Sequence, residues 1–427
     1  MKIILGEVIS IGSELLGGSH PETNSLFLSE KLGEKGVQVR WKTVVGDVHD
    51  DMAFALKQAV GRAKVVILTG GLGSTVDDCT RAVVAKVTGR PLRRRKKALD
   101  LLRKRYALKG RELTLSLMRQ AEIPLGAKVL ENSVGTAPGF LIHYRGGLIV
   151  ALPGVSREAM AMFDEQVAPN IEKHLKPSYV LDRKIFQTFG LTESEIDDRL
   201  KAAIKAFPSV TFGILPSPLG VTVIMSTWSA LAVRRIPKSR PRALSQFENA
   251  VGFVRSCLGE WVYAEGNRSM EEIVGQQLFA NDLTLAVAES CTGGLIGHRL
   301  TQVPGSSNYL DRVLVCYSNQ AKEELLDVPK PLFRRFGAVS SLVARAMARG
   351  VRRRSKAMLG LSVTGIAGPG GGTKQKPVGS VFIGIDGPNG TRVREFHFQG
   401  DRQTIKLRAS QAALEILRQY LVHKKLK

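Results

Sequence analysis

Three strand-to-helix junctions in the last third of the chain carry residue types that can perform acyl transfer. The first is Ala288-Glu289-Ser290-Cys291-Thr292-Gly293-Gly294, which follows an apolar run and opens a helical pattern. A serine there lies at the edge of a sheet, and a glycine-rich first turn offers backbone N–H groups to a developing oxyanion. The arrangement is that of a nucleophile elbow, without the G-x-S-x-G sequence. A helix cap or a phosphate cradle is the competing reading of the same residues. The second junction is Cys316-Tyr317-Ser318-Asn319, followed by Ala321-Lys322. A lysine buried beside a serine loses its proton more easily and can serve as general base, and a tyrosine can relay or orient that proton. A capped helix with a surface lysine is the alternative. Cys291 is a rival nucleophile, but no histidine lies near it in sequence to activate it.

The third junction runs Val363-Thr364-Gly365-Ile366-Ala367-Gly368-Pro369-Gly370-Gly371-Gly372, and Gly400-Asp401-Arg402 stands before the last helical pattern. Dense glycine lets backbone approach a ligand closely, and a guanidinium can grip phosphate or carboxylate. A plain loop and an exposed arginine would also satisfy these segments.

A second set of polar loops lies near the amino terminus: Ser10 to Gly18, Thr23-Asn24, Gly46-Asp47 and Leu68 to Asp78. Thr69-Gly70-Gly71 can supply phosphate-binding backbone, while Glu14, Asp47, Asp77 and Asp78 can hold a hard divalent cation through oxygen. Capping explains any one of these acids taken singly.

The elements that must position these loops follow from hydrophobic patterning. Residues 1–170 alternate β-branched runs (3–11, 37–45, 65–68) with amphipathic stretches (24–35, 51–62), which predicts a mostly parallel sheet covered by helices. In 171–262 a strand (183–189), a helix (193–207) and a second strand (221–227), after turn signals at 216–220, predict a small α+β module. An Arg/Pro-rich exposed loop is expected at 234–242 and a linker at 259–267. Ser269 and Glu272 form a capping-box signature before a helix at 270–280. Strands at 283–288, 313–317, 359–363 and 378–385 and a terminal helix at 404–421 complete a second α/β domain. The predicted class is α/β with three domains, 1–170, 171–262 and 265–427, two of them with mainly parallel sheets.

Bulk properties bound the function. At 427 residues, 44% hydrophobic and 23% charged, the chain has the composition of a globular protein of two or three domains. Four cysteines without paired spacing imply neither a disulfide framework nor a zinc site, and point to a reducing compartment. No apolar run approaches the roughly 20 residues that would cross a bilayer, so no membrane association is expected. The formal charge of +24 suggests polyanion binding. Its clusters at 93–111, 234–242, 349–356 and 424–427 are separate, however, and lack interleaved stacking aromatics. That distribution favours solvated surface or attraction to small acidic nucleotides over nucleic acid.

Together the carboxy-terminal segments resemble a specific family. Ala-Glu-Ser-Cys-Thr-Gly-Gly, Tyr-Ser-Asn-x-Ala-Lys, Gly-Ala-Val-Ser (337–340), Thr-Gly-Ile-Ala-Gly-Pro and Gly-Asp-Arg stand in the order and spacing of the CinA carboxy-terminal domain, the nicotinamide-mononucleotide amidohydrolase family. The resemblance implies Ser290 as nucleophile, with Tyr317 and Lys322 completing a triad. It places Cys291, Thr292, Gly293, Gly294, Thr364, Gly365 and Arg402 around the substrate. The implied reaction converts nicotinamide mononucleotide to nicotinate mononucleotide and ammonia without a cofactor.

Residues 1–170, including Glu131 to Phe140 and Leu152-Pro153-Gly154-Val155, resemble the molybdopterin-binding-like domain that begins CinA proteins, and 171–262 resembles a KH-type module. The first resemblance implies ADP-ribose pyrophosphate hydrolysis at Glu14, Asn24, Asp47, Thr69, Gly70, Gly71, Asp77 and Asp78. Asp47, Asp77 and Asp78 would hold a divalent cation, and potassium would assist. A cytoplasmic homodimer acting in pyridine-nucleotide recycling is the expectation. Ser74 and Ser156 stand where the family usually has proline, which would loosen the adjacent loops. A pterin-handling protein of molybdenum-cofactor type and a nucleic-acid-binding accessory protein are the two competing classes.

Overall fold

Alternation of apolar runs with amphipathic helices yields three main sheets, each with its own apolar core, and a two-stranded ribbon of Leu92–Arg94 and Glu122–Pro124 among the described residues. The computed structural model describes residues 3–75, 77–230 and 242–423. The chain forms two compact units: residues 1–182 with 227–245, and residues 183–226 with 246–427.

The sheet of the first unit has the order Val37–Val45, Ile4–Ile11, Val65–Thr69, Gly147–Leu152, Gly139–Tyr144, Lys128–Leu130. The first four strands are parallel and the last two antiparallel. Val65–Thr69 and Gly147–Leu152 are buried along their whole length, as expected of central strands covered on both faces. One face packs against helices His49–Arg62, Thr80–Thr88 and Lys96–Leu108, the other against Asn24–Glu34 and the helical stretch from Ser156 to Leu175. The boundary expected at 170 falls inside helix Ala168–Leu175, whose Ile171 is fully buried in this first core.

The middle sheet has the order Thr211–Ser217, Gly220–Ala230, Tyr179–Thr188, Val262–Glu265, with helices Glu193–Ala206 and Arg242–Leu258 packed on it. Strand Thr211–Ser217 was not expected, because Pro216 reads as a turn signal. At a sheet edge, proline's missing N–H costs no ladder bond. The segment expected to be a linker contains strand Val262–Glu265, paired antiparallel with Tyr179–Thr188. Most of the expected loop at 234–242, and the 424–427 cluster, lie outside the described residues.

The carboxy-terminal sheet has the order Leu310–Val315, Leu285–Glu289, Leu359–Gly365, Ser380–Gly387, Gly390–His397. Helices Met270–Ala280, Leu295–Thr301 and Arg402–His423 cover one face, and Asn319–Leu326 and Ser341–Ser355 the other. The α/β class stands, but this sheet is evenly mixed rather than mainly parallel: its first two pairings are parallel and its last two antiparallel. The capping box of Ser269 and Glu272 forms as the sequence predicts. No helix among the described residues is long and apolar enough to cross a membrane.

Candidate functional site

Strand Leu285–Glu289 is buried from end to end and flanked by two parallel partners. Ser290 is the first residue beyond it, and its N–H donates to Val363 O of the neighbouring strand at 3.0 Å. The adjacent strand ends at Val315, so Cys316, Tyr317 and Ser318 emerge beside Ser290 at the carboxyl edge of the sheet. Such edges gather functional side chains in α/β folds.

Ser318 caps helix Asn319–Leu326 by accepting from Ala321 N at 3.0 Å. The buried residues of this helix are Lys322 and Leu326, four apart and therefore on one face. Lysine thus occupies a position that helical periodicity assigns to the core. It is 1% exposed. Its Nζ lies 3.1 Å from Ser290 Oγ, 2.8 Å from Cys316 O and 3.1 Å from Tyr317 O. No carboxylate among the described residues pairs with it, and burial pushes the Lys322 ammonium below the usual lysine range. A neutral Nζ can give its two hydrogens to the carbonyls of Cys316 and Tyr317 and accept the Ser290 hydroxyl hydrogen.

Cys291 is 6% exposed, and desolvation pushes its thiol up to about 12. A thiol held protonated is a poorer nucleophile, which favours Ser290 over Cys291.

The cavity above Ser290 has a volume of about 260 Å³. Ser290, Cys291, Tyr317, Lys322, Thr364 and Arg402 line it, with Ala338, Val339 and the Gly365–Gly371 loop. Thr364 Oγ1 donates to Ala338 O at 3.0 Å, and Lys376 Nζ donates to Phe336 O at 2.6 Å, so the 336–339 wall is held at two points. A side chain at Gly365 would begin 3.1 Å from Cys291 Sγ and 2.9 Å from Ser380 O, so only glycine lets this strand end approach the nucleophile turn. Two larger hollows in the first unit, of about 410 and 430 Å³, contain no comparable pairing of hydroxyl and base.

Other expected residues are placed differently. Tyr317 is 60% exposed, and its hydroxyl accepts from Arg402 at 2.8 Å rather than meeting Ser290 or Lys322. Tyr317 lines the cavity beside Ser290 and Lys322: its backbone carbonyl accepts from Lys322 Nζ, and its ring stands at the mouth. Arg402 also donates to Gly368 O at 2.7 Å, clasping the glycine loop to Tyr317. Thr292 is fully buried, and neither it nor Gly293 nor Gly294 lines the cavity.

The glycine-rich turn does not offer all its amides. Glu289, 0% exposed and unremarked in the sequence reading, accepts from Gly294 N at 3.0 Å, Ile296 N at 3.1 Å and Gly297 N at 2.8 Å. Gly293 N is bonded to Ser290 O. The N–H groups of Cys291 and Thr292 face the Cys291 sulfur and have no oxygen acceptor among the described residues. A carboxylate closing an otherwise apolar strand was the available signal, since a charge there must find donors once the strand is buried.

In the first unit the loop acids serve the backbone. Asp47 accepts from Ser13 N at 2.8 Å, and Asp78 accepts from Gly73 N at 2.7 Å and Thr75 N at 2.8 Å. Glu14 and Asp77 are exposed. Among the described residues no group of three or more His, Cys, Asp or Glu is placed to hold a metal ion, so Asp47, Asp77 and Asp78 do not form the expected cage. Asn24 joins Thr69 Oγ1 at 2.8 Å and Gly154 O at 2.7 Å, which brings three of the expected loops together near Gly70 and Gly71. Ser156 shares a hydrogen bond with Thr23, and Ser74 O accepts from Ser116, so both loops that lack proline are tied.

A "CinA-like protein" of Anaeromyxobacter dehalogenans is 39% identical over 414 residues, covering 96% of this chain and 98% of its own. A "competence-damage inducible protein" of Caldicellulosiruptor saccharolyticus is 38% identical over 420 residues, covering 98% of this chain and all of its own. The chain belongs to the CinA family. The CinA C-terminal domain matches residues 267–421, and the probable molybdopterin binding domain matches residues 7–173. The crystal structure of competence/damage inducible protein CihA from Agrobacterium tumefaciens is 39% identical, covering 36% of this chain and 97% of its own, with a TM-score of 0.35. Within this CinA chain, the buried Ser290–Lys322 pair falls inside the first of these domains and the Asn24–Thr69–Gly154 loops inside the second.

Proposed function

We propose that this CinA protein is a serine amidohydrolase that converts nicotinamide mononucleotide to nicotinate mononucleotide and ammonia at Ser290 and Lys322. The observation that carries the reading is a fully buried lysine without an acid partner, 3.1 Å from the hydroxyl of a serine that lines a cavity. Ser290 Oγ attacks the carboxamide carbon while its proton passes to neutral Lys322 Nζ. Collapse of the tetrahedral adduct expels ammonia, which takes that proton away. Water then gives a proton to Nζ as it attacks the ester; when this second adduct collapses, Nζ returns that proton to Ser290 Oγ, the acyl–Oγ bond breaks and the carboxylate leaves. The N–H group of Cys291, whose residue lines the cavity, is the candidate oxyanion donor. Arg402, at the mouth, is the candidate partner for the anionic end of the substrate.

The test is ammonia release from nicotinamide mononucleotide by the full chain. Ser290→Ala should reduce it by several orders of magnitude, and Cys291→Ala should keep most of it. The reverse pattern assigns the chemistry to the thiol.

For the amino-terminal unit we propose nucleotide binding at the Asn24–Thr69–Gly154 loops, with ADP-ribose as the candidate. The observed carboxylates do not fit a divalent cation, and no hydrolytic step is derived there. A nucleic-acid role has less support. Arg352 pairs with Asp386, and Arg353 and Arg354 share Asp327, so two of the five positive charges of the 349–356 cluster are offset by acids. The module at 171–262 also lacks the Gly-x-x-Gly loop by which KH domains clamp a nucleic-acid backbone.

A further inference from the structure

We infer that Glu289 is the positioning residue of this site: its carboxylate holds the turn Ser290–Gly294 in the one conformation that aims Ser290 Oγ at Lys322 Nζ. The inference rests on the serine amidohydrolase reading above and adds to it a residue outside the Ser-Lys pair.

The argument begins with what the turn must do. The chain leaves a buried strand at Glu289 and enters a helix at Leu295, with only five residues between. Two of them, Gly293 and Gly294, have φ of +64° and +93°, a region that costs glycine little and leaves the turn weakly specified by its own torsions. Helix Leu295–Thr301 is short, and its Gly294 cap supplies no side-chain acceptor. Its first amides therefore need an acceptor from elsewhere. Glu289 supplies it: Oε2 accepts from Gly294 and Ile296, and Oε1 from Gly297.

One side chain thus ties the residue before the nucleophile to residues five to eight positions after itself. The backbone of Glu289 is fixed as well, because its carbonyl accepts from Cys316 N at 2.8 Å. That bond joins it to the segment whose carbonyls hold Lys322. Both ends of the nucleophile turn are therefore referenced to the same strand pair that places the base. The Ser290–Lys322 distance depends on this frame, and a shift of about 1 Å in such a pair can cost on the order of a hundredfold in rate. The carboxylate does not line the cavity, so it acts through Ser290 and not on the substrate.

Glu289→Gln keeps the shape but turns an amide N–H₂ toward at least one backbone N–H. In the full chain, kcat for ammonia release from nicotinamide mononucleotide should fall roughly ten- to a hundredfold, with KM changed by less than about threefold. The midpoint of the pH–rate profile should stay where Lys322 sets it, because Glu289 carries no proton in the reaction. Labelling of Ser290 by a fluorophosphonate probe should slow by a similar factor. This second readout needs no natural substrate. If wild type labels at Ser290 but releases no ammonia, the amidohydrolase reading fails while the labelling comparison still judges Glu289. A folded Glu289→Gln protein whose kcat and labelling rate stay within twofold of wild type overturns the inference. A moved pH midpoint does so too, by showing that the Glu289 charge acts on the titration of Lys322 and not through the turn. Glu289→Ala serves as the harsher variant, and if it does not fold, Glu289→Gln alone decides.

Discussion

Both α/β regions of this chain collect polar residues at the carboxyl ends of parallel strands, yet they use them in opposite ways. In the first unit the charges are committed to backbone: Asp78 braces the Gly73–Thr75 turn, Asp47 holds Ser13, and the amide of Asn24 staples two loops. In the carboxy-terminal domain the bracing is delegated to Glu289, which leaves Lys322 with a serine hydroxyl and carbonyl oxygens for company. The difference teaches where chemistry is to be sought. A charge whose hydrogen bonds are all spent on its own loop stabilises a shape, while a buried charge without a counter-ion is poised to change its protonation.

The sharpest way to break this comparison is at Lys322. Lys322→Arg should lower deamidation by several orders of magnitude, because a guanidinium stays protonated and cannot accept the serine proton. In wild type the active form is the deprotonated one, so the rate should rise with pH through the Lys322 pKa. Burial lowers that pKa, so the rise should come below the range of about 10.4 where an ordinary lysine titrates. A pH–rate profile checks this. A rate that falls with rising pH across that limb, or an active arginine variant, would remove Lys322 from the chemistry.

A smaller effect tests the other side. If Asp78 is a brace, Asp78→Asn should cost about 1–2 kcal/mol of first-unit stability, seen as an earlier unfolding transition. Magnesium should shift wild type and variant equally little. A wild-type midpoint that climbs several degrees with magnesium, and a variant that no longer responds, would make Asp78 a metal ligand.

Much of this was legible in the sequence. Central strands Ile4–Ile11, Val65–Thr69, Leu285–Glu289 and Leu359–Gly365 are largely apolar runs whose ends fall within a few residues of the expected positions, because burial on both faces leaves little choice of composition. Strand Gly147–Leu152, by contrast, was not expected. The edge strands were harder. Thr211–Ser217 contains Pro216, and Gly390–His397 alternates arginine and glutamate with apolar residues, both of which look like loop and both of which suit a sheet edge. At the site, Ser290 and Lys322 were legible from residue type and junction. The position of the Tyr317 hydroxyl was not, because it is set by Arg402, 85 residues away. Glu289 stands in the motif with no role assigned to it by residue type, since only the fold shows that it is fully buried.

The smallest expected effect concerns the strand that the sequence hid as a linker. Glu265 is held down to about 2 by its hydrogen bond to Arg255, helped by Lys184. A carboxylate with a depressed folded pKa stabilises fully above its ordinary range near 4.5 and loses that contribution as pH falls toward 2. The group is one-third exposed, so the contribution is discounted to a few tenths up to about 1 kcal/mol. Glu265→Gln should therefore melt slightly earlier than wild type at pH 7, and the two curves should converge near pH 2. Parallel curves at every pH would show that the ion pair adds nothing.

That same strand governs where the polypeptide can be severed cleanly. Val262–Glu265 covers the flank of Tyr179–Thr188, while its Tyr263 packs against the carboxy-terminal core. A nick between Gly266 and Ser269 spares both sheets. Cleavage before Val262 instead strips the module of its outermost strand and bares a row of unsatisfied N–H and C=O groups, the kind of surface that recruits another chain. The residue chosen as a truncation point, or the bond a protease reaches first, thus decides whether the upstream remnant stays dispersed or associates through its opened sheet.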